Sequence, residues 1–165
     1  MSEQRSYNLP IDALKTFLEK QKYIYEDIDF TRYSRKGSYK LALKWRNAHT
    51  LMDKNVEEGL FVEIECRAYP DFVYHSFALQ LVYKKHVNII FQVEVYPDFK
   101  LSHREKGGVE IYGSHTHNLY NTEKINNMNY NSDTWYDWLK YFCNATNITI
   151  QGRHYEPIIS DGLGL

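Results

Sequence analysis

Cysteine is nearly absent: Cys66 and Cys143 are the only two, and they stand far apart with no CxxC pair. This excludes a disulfide framework and the cysteine-rich structural zinc sites, and fits the reduced thiols of a cytosol. Glycine (8) and proline (4) are scarce among 165 residues, too few for a collagen-like or low-complexity chain. No apolar run approaches the roughly 18 residues that span a bilayer. The opening MSEQRSYNLP lacks the apolar core of a secretory signal, so a cytoplasmic protein that makes no use of the membrane is expected. Charge of one sign is missing too. The formal net charge is −1, which removes any overall field drawing the chain to nucleic acid or acidic lipid. Neither GxxxxGK(S/T) nor GxGxxG occurs, which excludes the P-loop and Rossmann-type nucleotide sites.

What is present suits an ordinary core: 43% of residues are hydrophobic and 25% charged, enough for one domain spanning 1–165. Aromatic residues reach 16%, with 15 Tyr outnumbering 8 Phe and 3 Trp. Tyrosine suits interfaces and half-buried sheet positions equally well. The basic residues gather at the front: residues 1–50 carry ten Lys/Arg against six Asp/Glu. Arg32, Arg35, Lys36, Lys40, Lys44 and Arg46 follow one another with no acid between Phe30 and Met52, interleaved with Tyr33, Tyr39 and Trp45. Such a stretch can hold RNA phosphates while rings stack on bases, or it can be a solvated basic sheet face.

Hydrophobic periodicity predicts a first helix from Pro10 to Tyr25, with Ile11, Leu14, Phe17, Leu18 and Tyr25 on one side. Alternation then predicts strands. Tyr39, Leu41, Leu43 and Trp45 face a core; Val62, Ile64 and Cys66 do the same. Phe77 to Tyr83 and Val87 to Val95 form a hairpin through Lys84-Lys85-His86. After a loop from Tyr96 to Gly108, a fifth run puts Val109, Ile111, Gly113, His115 and His117 on one face. The Asn-rich residues 121–132 read as a loop or lid. A second helix, capped by Ser132 or Asp133, carries Trp135, Trp138, Leu139 and Phe142, and Ile148-Thr149-Ile150 is a short β-like run. Consecutive strands framed by two helices predict an α+β fold: an antiparallel sheet of about five strands with both helices on one face.

The stretch able to carry chemistry is His103-Arg104 followed by His115-Thr116-His117. On a strand, residues two apart project to the same side roughly 7 Å apart, so His115 and His117 can address one metal ion or one phosphate. His103 can fold back to add a third imidazole, and Glu105 and Glu110 are the nearest carboxylates in sequence. A metal-free ribonuclease would use His115 and His117 as acid and base with Arg104 stabilising the phosphorane, and needs no cofactor. A metal hydrolase would use the same two histidines, with His103 or a carboxylate, around a divalent ion. A structural HxH, its N–H groups satisfied by backbone carbonyls, is the third reading. Cys143, beside the tryptophan-rich stripe, reads as a packing residue.

The segment Gly113-Ser114-His115-Thr116-His117-Asn118-Leu119-Tyr120, with His103 before it and Trp138 to Asn144 after it, resembles an uncharacterised bacterial and phage family of domains of unknown function. Members of that family carry a G-(S/T)-H-x-H-x-Y segment ahead of a helix ending in Cys-Asn, and the likeness covers residues 75–151. More distantly, the chain is similar to TumE-like toxins of toxin–antitoxin systems, although their tandem His-His is absent here. The resemblance implies a phage or mobile-element setting. Two functions follow as expectations. One is an RNA-cleaving toxin-type nuclease built on His115, His117, His103 and Arg104, with Arg35, Lys36, Lys40, Lys44 and Arg46 guiding RNA. The other is a non-catalytic inhibitor of anti-CRISPR kind that docks on a nucleoprotein through tyrosines such as Tyr112 and Tyr120.

Overall fold

The computed structural model describes residues 6–33 and 41–158. In chain order, α1 (Ile11–Glu19) leads into β1 (Lys22–Ile24) and β2 (Thr31–Tyr33); β3 (Leu41–Arg46) is followed by a small hairpin, β4 (Thr50–Met52) and β5 (Asn55–Glu57). The long strands come next: β6 (Leu60–Ala68), β7 (Val73–Tyr83) and β8 (His86–Val95). Four short ones follow, β9 (Leu101–Arg104), β10 (Glu110–Tyr112), β11 (His115–His117) and β12 (Thr122–Lys124), before α2 (Trp135–Thr146) and β13 (Ile148–Ile150).

The α+β expectation holds, but the sheet is larger than five strands. Seven antiparallel strands run in the order β12-β11-β8-β7-β6-β3-β2, beside a four-stranded sheet β13-β1-β4-β5 and a two-stranded ribbon of β9 and β10. The extra strands are three or four residues long, too short for alternation to show, and several fall in segments read as loops. β12 lies in the Asn-rich stretch and β9 in the loop before Gly108, while β4 and β5 fall between the runs that alternation marks at Trp45 and Val62. The expected fifth run is broken at Gly113, whose φ of 83° suits glycine and where a Cβ would press on Asp98. Before it the chain belongs to the ribbon; after it, to the main sheet.

The first helix stops at Glu19 rather than Tyr25, and Tyr25 is 59% exposed. Its end is closed by Lys22, whose wholly buried ammonium donates to the carbonyls of Phe17, Leu18 and Lys20 at 2.5, 2.9 and 2.6 Å. These carbonyls have no partner within the helix, and a cation there also complements the helix dipole. The α2 cap is Thr134, not Ser132 or Asp133. Thr134 and Asp137 form a reciprocal capping box, each side chain serving the other's backbone N–H.

Both helices lie on the apolar side of the main sheet. Leu14 from α1 and Trp135, Trp138, Leu139 and Phe142 from α2 join Ile64, Phe77, Leu79, Phe91 and Val93 in one core. The β7–β8 connection turns through Lys84 and Lys85, both at positive φ, so the hairpin is two residues tight, and a bulge opposite Leu79 and Gln80 then shifts the pairing by one residue to set the register beyond it. That register determines what meets on the opposite, polar side. Lys44, Glu65, Ser76, Glu94, His115 and Lys124 form one cross-strand row, and Arg46, Glu63, Ala78, Gln92, His117 and Thr122 form the next.

Candidate metal centre

At the β8–β11 end of those rows, three donor atoms converge. His115 Nε2 lies 2.7 Å from Glu94 Oε2, His117 Nε2 lies 3.0 Å from the same oxygen, and the two Nε2 atoms are 3.1 Å apart. Adjacent strands bring them together: His115 is the cross-strand partner of Glu94, and His117 that of Gln92. His115 is fully buried and His117 nearly so. His103, on the ribbon, folds over the pair with its ring centroid 5.7 Å from that of His115 and 5.2 Å from that of His117. A ligand atom from each of the three imidazoles lies within 4.8 Å of the others.

The outer nitrogens are pinned. His115 Nδ1 lies 3.0 Å from Ser102 Oγ and 3.3 Å from the Gly113 carbonyl. Ser102 has a single proton, directed at the Gly113 carbonyl at 2.5 Å or that of Ile111 at 3.1 Å, so its oxygen accepts from Nδ1–H. His117 Nδ1 sits 2.9 Å from Thr122 Oγ1, which can likewise accept. An imidazole with its proton on Nδ1 presents a bare lone pair at Nε2. Two such lone pairs and a carboxylate oxygen within 3.1 Å of one another repel unless a proton or a cation is shared among them.

Glu94 is the anion of this group. Burial alone would raise its carboxyl; in the metal-free protein the shared proton sits on the facing Nε2 atoms, and hydrogen bonds from and charge on His115 and His117 then outweigh burial and hold Glu94 well below the usual carboxylate range. Its second oxygen accepts from the Tyr74 hydroxyl at 2.8 Å, and burial together with that carboxylate raises the phenol. Tyr96 stacks parallel to His115 at 5.9 Å between centroids and 8° between planes, closing one side of the ring.

The structure thus brings His103, His115 and His117 together and leaves the other expected residues elsewhere. Arg104 pairs with Glu110 at 2.8 Å on the exposed side of the ribbon, because neighbouring strand residues point opposite ways and His103 takes the inward position. Lys44 and Arg46 both pair with Glu63, at 3.2 and 3.0 Å, and Arg46 covers Phe61. Tyr112 and Tyr120 are exposed, the former bonded to Glu110. Arg35, Lys36, Lys40 and Tyr39 lie outside the described residues. The carboxylate of the site is Glu94, not Glu105 or Glu110, which stay with the ribbon. Its trace in the sequence is slight: it is the only acid in the strand His86–Val95 and alternates with Val93 and Val95. Ser102 and Thr122 carry no signal at all, since only the pairing places them.

Both cysteines are packing residues. Burial pushes the thiols of Cys143 and Cys66 up to about 12, Glu65 adding to the effect at Cys66, so neither supplies a thiolate near neutrality. Among the described residues no helix is long and apolar enough to cross a membrane. In the quoted segment Tyr120 stands one place later than the family pattern has its tyrosine, and α2 runs on past Cys143-Asn144 to Thr146. No protein-family model matches the chain, nor does any curated protein or solved structure.

Proposed function

We propose that this protein is a metal-dependent hydrolytic enzyme in which Glu94, His115 and His117 hold one divalent cation. The triangle of Nε2, Nε2 and Oε2, with edges of 2.7–3.1 Å, is the observation that carries the reading. Ligands about 2.0–2.1 Å from a zinc-like ion sit roughly 3.0 to 3.4 Å apart at octahedral or tetrahedral angles, so a small relaxation admits the ion. Ser102, Gly113 and Thr122 do for the two histidines what supporting partners do at metal centres: they hold the ring and keep the proton off the coordinating nitrogen. Three protein ligands leave a position for water, whose pKa a zinc-like ion lowers to about 7. His103, whose ring packs against both histidines, would exchange a proton with such a water.

In the nuclease form of this reading the ion would supply a water to attack a phosphodiester, and the P–O bond to the leaving oxygen would break as that oxygen takes up a proton. Arg104, Lys44 and Arg46, the cations expected to hold phosphate, are each already paired with a carboxylate, so the geometry favours a hydrolase without assigning it a polyanionic substrate. Metal analysis of the purified protein and zinc titration by calorimetry test the centre. One equivalent per chain is expected, with affinity falling 100-fold or more in Glu94→Gln and His117→Ala. Undiminished zinc binding in both variants overturns the proposal. Incubation with total RNA and with a panel of nitrophenyl esters, with and without EDTA, then separates the two substrate types.

A further inference from the structure

Glu94 turns one oxygen, not two, toward the histidines. Its Oε2 makes both short edges, 2.7 Å to His115 and 3.0 Å to His117, while Oε1 accepts from the Tyr74 hydroxyl at 2.8 Å. Tyr74 stands two residues before Ser76, the cross-strand partner of Glu94, and so shares its side of the sheet. The phenol is buried, with its ring 4.8 Å from that of Tyr96 and the Arg67 guanidinium 5.3 Å over it, so the hydroxyl is held where it is. With Oε1 engaged in this way, a cation among the three donors meets a carboxylate that binds through one oxygen. The protein then supplies three donors rather than four.

Two imidazoles and a carboxylate serve zinc and iron-like ions alike, and the spacing separates the two cases. With ligands about 2.1 Å from the ion, donors on one face of an octahedron lie about 3.0 Å apart and donors at tetrahedral angles about 3.4 Å. The three edges are 2.7, 3.0 and 3.1 Å. An octahedral face therefore needs the donors to spread from their common centre by less than about 0.1 Å on average, a tetrahedral site by about 0.3 Å. Spreading is opposed behind all three donors: by Ser102 and Gly113 at His115, by Thr122 at His117 and by Tyr74 at Glu94.

We infer that Glu94, His115 and His117 form one face of a six-coordinate centre for a first-row cation of the Mn(II), Fe(II) or Co(II) kind, with Tyr74 as the positioning residue that keeps Glu94 to one oxygen. Three neighbouring positions are then open, enough for a substrate that chelates through two oxygens beside a water. A dication and one carboxylate leave a single positive charge, which matches a chelator of one negative charge such as a hydroxamate or a 2-hydroxycarboxylate. This rests on the metal-centre reading and gives that site its geometry and substrate class. Cobalt(II) added to the metal-free protein, with acetohydroxamate as the chelating probe, tests it. The visible bands are expected to be weak, as for six-coordinate Co(II), and to shift without growing intense when acetohydroxamate binds. The infrared difference between cobalt-loaded and metal-free protein is expected to show widely separated carboxylate stretches, the mark of one-oxygen binding, and to lack them in Glu94→Gln. In Tyr74→Phe cobalt is retained, the separation narrows as the second oxygen joins the ion, and acetohydroxamate binds more weakly. Intense tetrahedral bands, no response to acetohydroxamate, or a separation that is narrow in the wild type or unchanged in Tyr74→Phe overturns the inference while the metal centre stands. Absence of both cobalt and zinc binding overturns the centre itself and this inference with it.

Discussion

The two faces of the seven-stranded sheet are made from the same strands, and they do opposite things with buried groups. On the helix side Phe77, Leu79, Phe91 and Val93 meet Trp138 and Phe142 in one apolar core. On the other side the alternate residues of the same strands, Glu65, Ser76, Gln80, Glu94, His115 and His117, are also largely buried but polar. Burial on the first face yields stability at about 25 cal/mol per Å² of apolar surface. On the second it costs free energy that hydrogen bonds and ion pairs offset, and groups held in that way are poised for chemistry. Stability and reactivity are thus divided by strand parity.

The largest effect expected from testing this division is on the apolar face. Phe142→Ala, which empties a site between Phe77 and Phe91, costs about 3–5 kcal/mol in urea unfolding and leaves zinc affinity per folded molecule unchanged. If Glu94→Gln costs as much stability, the faces are not divided as described. Lys22→Met probes a buried polar group that the protein satisfies by itself. It leaves three carbonyls at the end of α1 without their cation, and the expected loss is about 2–3 kcal/mol with no change in metal binding.

His75 is the titratable exception on the apolar side. Its Nδ1 is shut away from solvent without a partner, and burial lowers the imidazole to about 4. The folded state therefore holds His75 neutral while the unfolded chain takes a proton below about 6.5. Its stabilising contribution is complete above that pH and is lost as pH falls from about 6.5 toward 4. The loss is on the order of 1–3 kcal/mol, and thermal unfolding of His75→Gln across this window should show a correspondingly flatter profile. Smaller again are Ser102→Ala and Thr122→Val. Each is expected to lower zinc affinity about 10–100-fold by releasing a histidine ring, while shifting stability by less than about 1 kcal/mol. If they destabilise the fold and leave zinc affinity unchanged, these hydroxyls are structural and the centre is not a metal site.

How far each part could be read beforehand follows from the length scale of its signal. The hairpin of β7 and β8 and the Trp135–Phe142 stripe show themselves in period-two and period-3.6 patterns over ten or more residues. Of the aromatic surplus, Trp45, Phe77, Phe91, Trp135, Trp138 and Phe142 are buried as their periodicity implies. Tyr25 and Tyr83 are exposed instead, because each lies where its element has ended or is ending. Short strands such as β9 and β12 give no periodicity to read, so the sheets hold more strands than alternation predicts. The pairing of His115 with His117 follows from their spacing alone, whereas Arg104 was misplaced by one step of strand alternation.

The sequence by itself determined the class of the fold, the face each long strand turns to the core, and the fact that two imidazoles share one side of a strand. These are local properties, carried by periodicity and by residues two apart. Only the tertiary structure decided that Glu94, 21 residues before His115, is its partner and that His103 folds over the two histidines. Those contacts depend on strand register and on the break at Gly113, which belong to pairs of strands rather than to any one segment. A site assembled across strands is set by hydrogen-bonded pairing, and no stretch of sequence contains that pairing alone.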